Sequence, residues 1–365
     1  MPEEKLRSNL LDVARHAGVS PATVSRVLNN TARVRASVRE RVLASVMALD
    51  YESPSASSHK LLLRQNAIAL IIPDILNPYF TEIVRGVQDE ACGDRLLPLL
   101  LDTAQDPQRE KDVLRILTAQ PVSGIIACES RLSSQELSAI CSHLRTPMVI
   151  FNRNIRLPNV ACILVDLKNA TYRATRHLID LNHTRIAYLF GPSKSETSLA
   201  RRQGIEAALA EAGLALRPEW CPSSFPDVDG GFQAMSALLS LSSANRPTAV
   251  IAYNDLMALG ILHAVRAHGL KVPEDISVIG IDDISMSAHA NPPLTTLSPP
   301  KHRMGRMAMQ ILSHMIEGHP PPEEGYTLIE CPLVVRESTT PPVNTNGRTL
   351  IKFAAAHQEP DHAQN

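Results

Sequence analysis

From residue 67 onward, eight short apolar runs alternate with longer segments whose apolar residues recur at helical spacing. Strands that are apolar throughout are buried on both faces, which is typical of parallel sheets covered by helices on both sides. Eight such strands fit two sheets of about four or five strands better than one sheet. The sequence therefore predicts an α/β chain with two doubly wound parallel sheets, the first ending near Val165. The predicted strands lie at 68–73, 96–101, 124–128, 148–151, 162–165, 185–190, 248–252 and 277–281.

The stretch that follows Ile281 adds a predicted helix near 303–317 and strands near 327–335. A chain that crosses back between two sheets needs one extra helix and extra strands of this kind. Residues 339–365 are polar, contain proline and show no periodicity, so they are predicted to form a disordered tail.

Ahead of the sheets, residues 12–29 (DVARHAGVSPATVSRVLN) have the pattern of two short helices joined by a tight turn. Gly18 can adopt the positive φ that ends the first helix, Ser20 can cap the second, and Pro21 suits its first position. A third helical pattern at 37–49 can close a small core with these two. Residues 1–52 are therefore predicted to be a three-helix, helix-turn-helix domain, a form whose second helix enters a DNA major groove.

The charge of the chain is unevenly distributed. Residues 1–65 carry ten Lys or Arg against six acidic residues, although the whole chain has a net charge of -1. The remaining residues are therefore acidic. A basic head on an acidic body indicates that only the head meets a polyanion such as DNA.

Several classes of protein are disfavoured by the sequence. No stretch matches G-x-S-x-G, H-E-x-x-H, Walker A or G-x-G-x-x-G, and the thirteen histidines lack metal-ligand spacing. The six cysteines form no C-x-x-C pair and mostly lie in apolar runs, as reduced buried thiols do. The N-terminus does not resemble a signal peptide, and no apolar run approaches the ~20 residues of a membrane span. We expect a cytoplasmic protein that is not an enzyme, with no metal, cofactor or membrane partner.

Seven stretches resemble, in order, motifs of the lactose-repressor (LacI/GalR) family of bacterial transcription regulators, and the resemblance covers residues 9 to about 338. These stretches are DVARHAGVSPATVSRVLN (12–29), RERVLASVMALDY (39–51), IIPDILNPYF (71–80), ARRQGIEAAL (200–209), AYNDLMALGIL (252–262), VPEDISVIGIDD (272–283) and NPPLTTL (291–297).

The resemblance implies a body of the periplasmic-binding-protein type, with two lobes joined by three crossovers and a small effector in the cleft between them. The crossovers are expected near residues 165, 297 and 325. Lobe 1 would comprise 67–165 with 298–325, and lobe 2 would comprise 166–297 with 326–338. A free solute-binding protein is the main alternative, and the basic head and the missing signal peptide argue against it.

The resemblance also implies a homodimer or tetramer bound to a near-palindromic DNA operator. Arg26 is expected to read guanine, because a guanidinium matches the two acceptors of that base in the major groove. Pro21 and Ala22 occupy the other base-reading positions, although neither side chain can donate a hydrogen bond. Ser20, Thr23 and Ser25 are expected to contact phosphates or to cap helices.

Residues 53–66 are either a passive linker or a hinge helix that forms only against a partner. In the family, this segment places a leucine in the minor groove. The usual Ala-Arg-x-Leu pattern is absent here, so either Lys60 or Leu61 takes that position. We favour Leu61, because a charged side chain is a poor wedge between bases.

Effector-binding residues of the family can be assigned in this chain only at positions where the sequence matches the family. Guanidinium, carboxylate and amide groups beside one aromatic ring suit a polyhydroxylated ligand, because each ligand hydroxyl must exchange water for a protein partner. A sugar, sugar acid or nucleoside would fit. Core packing remains the alternative role for Phe80, and helix capping the alternative role for Asp166. The expected ligand contacts are Phe80 and Arg153 from the first lobe, Asp166 at the first crossover, and Arg201, Asn254 and Asp282 from the second lobe.

Overall fold

Three helices pack together in the described part of the head. The computed structural model describes residues 9–29, 34–49, 51, 66–93, 96–119, 122–191, 196–322 and 325–342. The three helices of the head are α1 (Leu10–Ala17), α2 (Pro21–Asn29) and α3 (Ala36–Ala48). Asn9 and Asp12 form a reciprocal capping box at the start of α1, and Gly18 ends that helix with a φ of 61°. Buried Val13, Val24 and Val42 join the helices in one small core.

Lobe 1 is built on a six-stranded sheet over the described residues. Its strands are β1 (Ala67–Ile72), β2 (Leu97–Asp102), β3 (Gly124–Ala127), β4 (Met148–Phe151), β5 (Val160–Val165) and β10 (Tyr326–Ile329). They are parallel and lie in the order β10-β5-β4-β3-β1-β2. The helices of this lobe are α4 (Pro78–Ala91), α5 (Pro107–Ala119), α6 (Ser134–Cys141) and α11 (Lys301–Ile316).

Lobe 2 is built on a five-stranded sheet, counted over the same described residues. Its strands are β6 (Ile186–Leu189), β7 (Ala249–Ala252), β8 (Ser277–Ile281), β9 (Thr295–Leu297) and β11 (Leu333–Val334), in the order β11-β9-β8-β7-β6. Only β11 runs antiparallel to its neighbour within this described sheet. The helices are α7 (Leu167–Asp180), α8 (Glu196–Glu211), α9 (Val228–Leu239) and α10 (Asp255–Ala267). The predicted α/β class with two doubly wound parallel sheets is confirmed.

The third crossover differs from the prediction. Residues 326–329 pair with β5 in lobe 1, whereas they were expected in lobe 2, so the chain crosses only after Ile329. Both sheets offer an open edge at this point, β5 in one and β9 in the other. A four-residue strand carries too little pattern to indicate which edge it joins.

The chain is ordered beyond residue 338, where the tail was expected to begin. The carbonyl oxygen of Thr340 lies 2.8 Å from His183 Nε2, and Thr339 Oγ1 lies 3.0 Å from His177 Nε2. These contacts are not predictable from local sequence, because they depend on histidines more than 150 positions away. The rest of the predicted tail, from 343, and the linker at 53–65 lie outside the described residues. Among the described helices, none combines the length and apolar character that a membrane crossing requires.

Candidate functional site

A polar cleft lies between the lobes, where the strands of both sheets end. The cleft is nearly closed, with a cavity volume of about 10 Å³, which is roughly the space of one water molecule. Ligands of open parallel sheets bind at this edge because loops from several strands converge there. The lining residues are Asn77, Tyr79, Phe80, Gln105, Glu129 and Arg131 from lobe 1 and Arg201, Pro226, Tyr253, Asn254 and Asp282 from lobe 2.

The backbone at this edge adopts a conformation that favours glycine, although the residues are not glycine. Gln105, Glu129 and Asp282 follow strands β2, β3 and β8 and have φ values of 61°, 40° and 119°. Each such residue costs about 1–3 kcal/mol, and such residues cluster at ligand sites where the surroundings hold them in place. The concentration of strained residues around the cleft supports its assignment as the functional site.

Arg201 is the central cation of the cleft and is only 3% exposed. Its guanidinium carbon lies 4.2 Å from the centre of the Tyr253 ring. Burial lowers the pKa of Arg201, but Tyr253 and the acids nearby raise it by more, so the side chain stays charged. Its Nε and Nη1 are buried and have no hydrogen-bond partner among the described residues. Arg201 is therefore a charged donor with unused hydrogen-bonding capacity.

A second guanidinium, that of Arg131, lies on the lobe 1 side. Arg131 Nη1 is 3.9 Å from Glu129 Oε2, too far for a hydrogen bond, and it has no hydrogen-bond partner within the described part of the chain. Glu129 itself accepts a hydrogen bond of 3.0 Å from the Asn152 side chain. The cleft thus holds buried guanidinium donors from both lobes.

Asp282 supplies the acid of lobe 2. Burial raises the pKa of its carboxyl group well above the ordinary value, Asp255 raises it further, and Arg201 opposes the increase. Asp255 lies beneath the site as a fully buried acceptor of hydrogen bonds from Ile284 N, Ser287 Oγ and Thr296 Oγ1. This network fixes the loop that follows β8.

Asn254 and Phe80 line the cleft but also hold the protein together. The side chain of Asn254 caps α10 by accepting from Met257 N at 2.9 Å, and it donates to the Pro226 carbonyl at 2.9 Å. Phe80 is buried in the lobe 1 core and packs edge-on against Tyr79 at 5.0 Å. Contact of these two residues with an effector stays a prediction.

Arg153 and Asp166 lie outside the cleft lining. Arg153 Nη2 donates to the Ser130 carbonyl at 2.9 Å and to the Leu132 carbonyl, and Nη1 lies 3.2 Å from Glu196 Oε1 on lobe 2. Asp166 caps α7 by accepting from Asn169 N at 3.2 Å. The structure therefore gives Arg153 a cross-lobe ion pair, and it gives Asp166 the capping role that was its alternative.

Three residues of the cleft were not among those predicted from the sequence: Glu129, Arg131 and Tyr253. Glu129 follows the strand at 124–128, and Tyr253 directly follows the strand at 248–252. Because strand ends meet at one edge of a parallel sheet, that position was the available signal. Arg131 lies two residues further along the loop, where no pattern marks it.

The head presents two of the expected DNA contacts on one face of α2. Ala22 and Arg26 are exposed one turn apart, while Val24 and Val27 are buried. Ser20 Oγ accepts a hydrogen bond from Thr23 N at 3.2 Å and so caps the helix. Pro21, Thr23 and Ser25 are partly exposed. Lys60 and Leu61 lie outside the described residues.

A helix-turn-helix head followed by two parallel-sheet lobes around a polar cleft defines a regulator with a ligand-binding body. A model described as "Bacterial regulatory proteins, lacI family" matches residues 9–54, and one described as "Periplasmic binding protein-like domain" matches residues 175–339. The HTH-type transcriptional repressor PurR of Aliivibrio fischeri (strain MJ11) is 35% identical over 311 residues, which cover 85% of this chain and 92% of that protein. The chain belongs to the LacI family of bacterial regulatory proteins.

Solved structures agree with this assignment. The complex of the transcriptional regulator CelR with cellobiose has a TM-score of 0.67 and 30% identity, and the match covers 91% of this chain and 100% of that one. The lac repressor dimer bound to operator and the anti-inducer ONPF has a TM-score of 0.67 and 27% identity, covering 91% and 99%.

Proposed function

We propose that this protein is a transcriptional repressor that binds a near-palindromic operator as a homodimer, with a small polar metabolite in the cleft setting its DNA affinity. It would act in the cytoplasm, where chromosomal DNA lies. The observation that carries the proposal is the pair of buried guanidinium nitrogens of Arg201 that have no partner among the described residues.

Buried donors without partners are rare in folded proteins because each costs about 1–3 kcal/mol. A ligand with several acceptor oxygens would remove this cost at Arg201 and at Arg131 together. The carboxyl groups of Glu129 and Asp282 would form hydrogen bonds with its hydroxyl groups, and the ring of Phe80 would face its apolar side. A sugar, a sugar acid or a nucleoside has this combination of groups, and the similar CelR structure is a complex with cellobiose.

The surface of lobe 1 supports a dimer. The edge strand β2 exposes Leu97, Leu99 and Leu100, and the nearby loop exposes 82% of Leu76. An open edge strand with apolar side chains is a liability unless another chain covers it. A second copy of this chain is the occupant that a paired DNA reader requires, since two heads must be held at a fixed spacing.

Two experiments test the proposal. A thermal-shift screen with D-ribose, cellobiose, D-gluconate and adenosine should give at least one compound that raises the Tm of the full chain. That increase should disappear in Arg201→Met and Asp282→Ala and persist in Lys271→Met, which changes an exposed residue remote from the cleft lining. The effector class is wrong if no compound of these types binds.

The DNA arm starts with selection of bound sequences from a random double-stranded library, followed by gel shifts at moderate salt. We expect a two-fold symmetric site whose affinity changes when the active compound is added. If the protein binds the compound but selects no DNA sequence, it is a solute-binding protein instead.

A further inference from the structure

Lys301 is a buried lysine at the junction of the two lobes. It is the first residue of α11, where the chain has crossed from β9 of lobe 2 into lobe 1, and it is 5% exposed. Its Nζ donates to the carbonyl oxygen of Asp282 at 2.6 Å and to that of Asp283 at 2.7 Å. A buried ammonium requires such acceptors, since an unpaired charge in the interior is strongly unfavourable.

The two carbonyl groups lie in an unusual turn. Asp282 and Asp283 have φ values of 119° and 50°, which non-glycine residues adopt only when the surroundings fix them. The carboxylate of Asp283 is held within lobe 2 by Arg336 Nη2 at 2.6 Å and Ser298 Oγ at 2.7 Å. The carboxylate of Asp282 lines the cleft instead. The orientation of Asp282 therefore depends on the turn that Lys301 holds.

Lys301 also contacts lobe 1 through a side chain. Its Nζ is 3.6 Å from Glu82 Oε2. Glu82 belongs to α4, the helix that brings Tyr79 and Phe80 to the opposite wall of the cleft. Helix α4 packs along α11, so this contact lies between two neighbouring helices of lobe 1. One side chain thus contacts both the turn that carries Asp282 and the helix that carries the aromatic wall.

We propose that Lys301 is a positioning residue of the effector site: by binding the carbonyl oxygens of the 282–283 turn, it directs the Asp282 carboxylate into the cleft and couples that carboxylate to helix α4 through Glu82. The proposal rests on the function proposed above, in which the cleft binds the effector. It assigns a role in ligand affinity and in lobe coupling to a residue that the cleft lining does not include.

The first test measures the turn directly by hydrogen–deuterium exchange of the full chain without added compound. Lys301→Met keeps the length of the side chain and removes the ammonium, and it should speed exchange of the amides at 282–285 at least tenfold. Lys271→Met, at an exposed lysine of lobe 2, is the matched control and should leave these amides unchanged. Unchanged exchange in Lys301→Met overturns the proposal.

The second test separates positioning from general destabilisation. With whichever of D-ribose, cellobiose, D-gluconate and adenosine binds the wild type, Lys301→Met should raise the Kd at least tenfold while DNA affinity without the compound stays within twofold. Glu82→Gln should leave the exchange at 282–285 unchanged and reduce the effect of the compound on DNA affinity. Equal loss of DNA and compound affinity in Lys301→Met would contradict a positioning role.

The two proposals fail in different ways. If none of the four compounds binds the wild type, the proposed effector class is wrong, and the exchange experiment still decides whether Lys301 holds the turn.

Discussion

A methyl group added at Gly204 should disturb the effector site without touching it. Gly204 lies on α8, three residues after Arg201, where α8 and α7 meet closely. A Cβ at this position would lie 2.1 Å from the Lys168 carbonyl oxygen and 2.2 Å from Thr171 Oγ1. Ordinary contacts begin near 3.4 Å, so Gly204→Ala must separate the helices by roughly 1 Å in a close-packed interior.

Two contacts determine how much Gly204→Ala lowers the free energy of unfolding. Overpacking of this kind destabilises by about 1–3 kcal/mol. The separation also stretches the 2.9 Å hydrogen bond from Thr171 Oγ1 to the Arg201 carbonyl, a further loss of about 1 kcal/mol. With about 2–4 °C of Tm for each kcal/mol in a body of this size, the Tm should fall by about 4–16 °C.

The loss of effector affinity in Gly204→Ala should be larger than the loss of folding stability alone would cause. Displacement of Arg201 weakens charge-assisted hydrogen bonds worth about 1.5–3 kcal/mol, which corresponds to a Kd about 10–150 times higher. Differential scanning calorimetry and isothermal titration with the active compound measure the two effects. Gly93→Ala is the matched control, because among the described residues its Cβ would meet only the Glu90 carbonyl oxygen, at 3.6 Å. A Gly204→Ala protein that melts within about 1 °C of wild type and binds equally well would refute the reasoning.

Three further predictions concern other parts of the molecule. Arg26→Ala should weaken binding to the selected operator by about 1–3 kcal/mol and relax the preference at one base pair, as gel shifts with single-base variants would reveal. Glu196→Gln removes the ion pair with Arg153 and should speed compound release in stopped-flow experiments about fivefold, the loss of about 1 kcal/mol; an unchanged release rate would contradict a cross-lobe role. Burial lowers the pKa of His183 to about 4, so its contribution to stability is present above pH 6.5 and declines as the pH falls toward 4. Urea unfolding at pH 7 and pH 4.5 should show a larger loss in wild type than in His183→Gln, by about 2–3 kcal/mol.

The regular elements of the fold were predictable because their patterns are local. The run AIALII (67–72) is buried at every position of β1, as its uniform apolar character predicted. The same prediction is wrong for β2, an edge strand that leaves Leu97, Leu99 and Leu100 exposed. The helix-turn-helix was equally clear, since Gly18 and Ser20 perform the capping roles that their residue types predict. Such features depend on neighbours within a few positions in the chain.

The cleft was predictable only in part because its side chains have competing partners. Arg201 and Asp282 lie in it. Arg153 follows a strand end as Asp282 does, but it turns instead to the carbonyl groups of Ser130 and Leu132. The choice depends on which acceptors the folded loops place within reach. Residue type and position at a strand end identify candidate ligand-binding residues, but they do not show which candidates face the cleft.

Strands β10 and β11 lie close to the C-terminal end of the folded body, and this position has a consequence for synthesis of the protein. Each lobe receives an edge strand from residues 326–334, and helix α11, which covers part of lobe 1, also comes from this end of the chain. A nascent chain that has reached only residue 325 therefore carries two unfinished sheets, with β5 and β9 both open at an edge. Open edges pair readily with other chains. Ribosomal stalling or premature termination shortly before residue 326 should consequently produce aggregation of the whole body, and neither lobe is expected to mature ahead of the other.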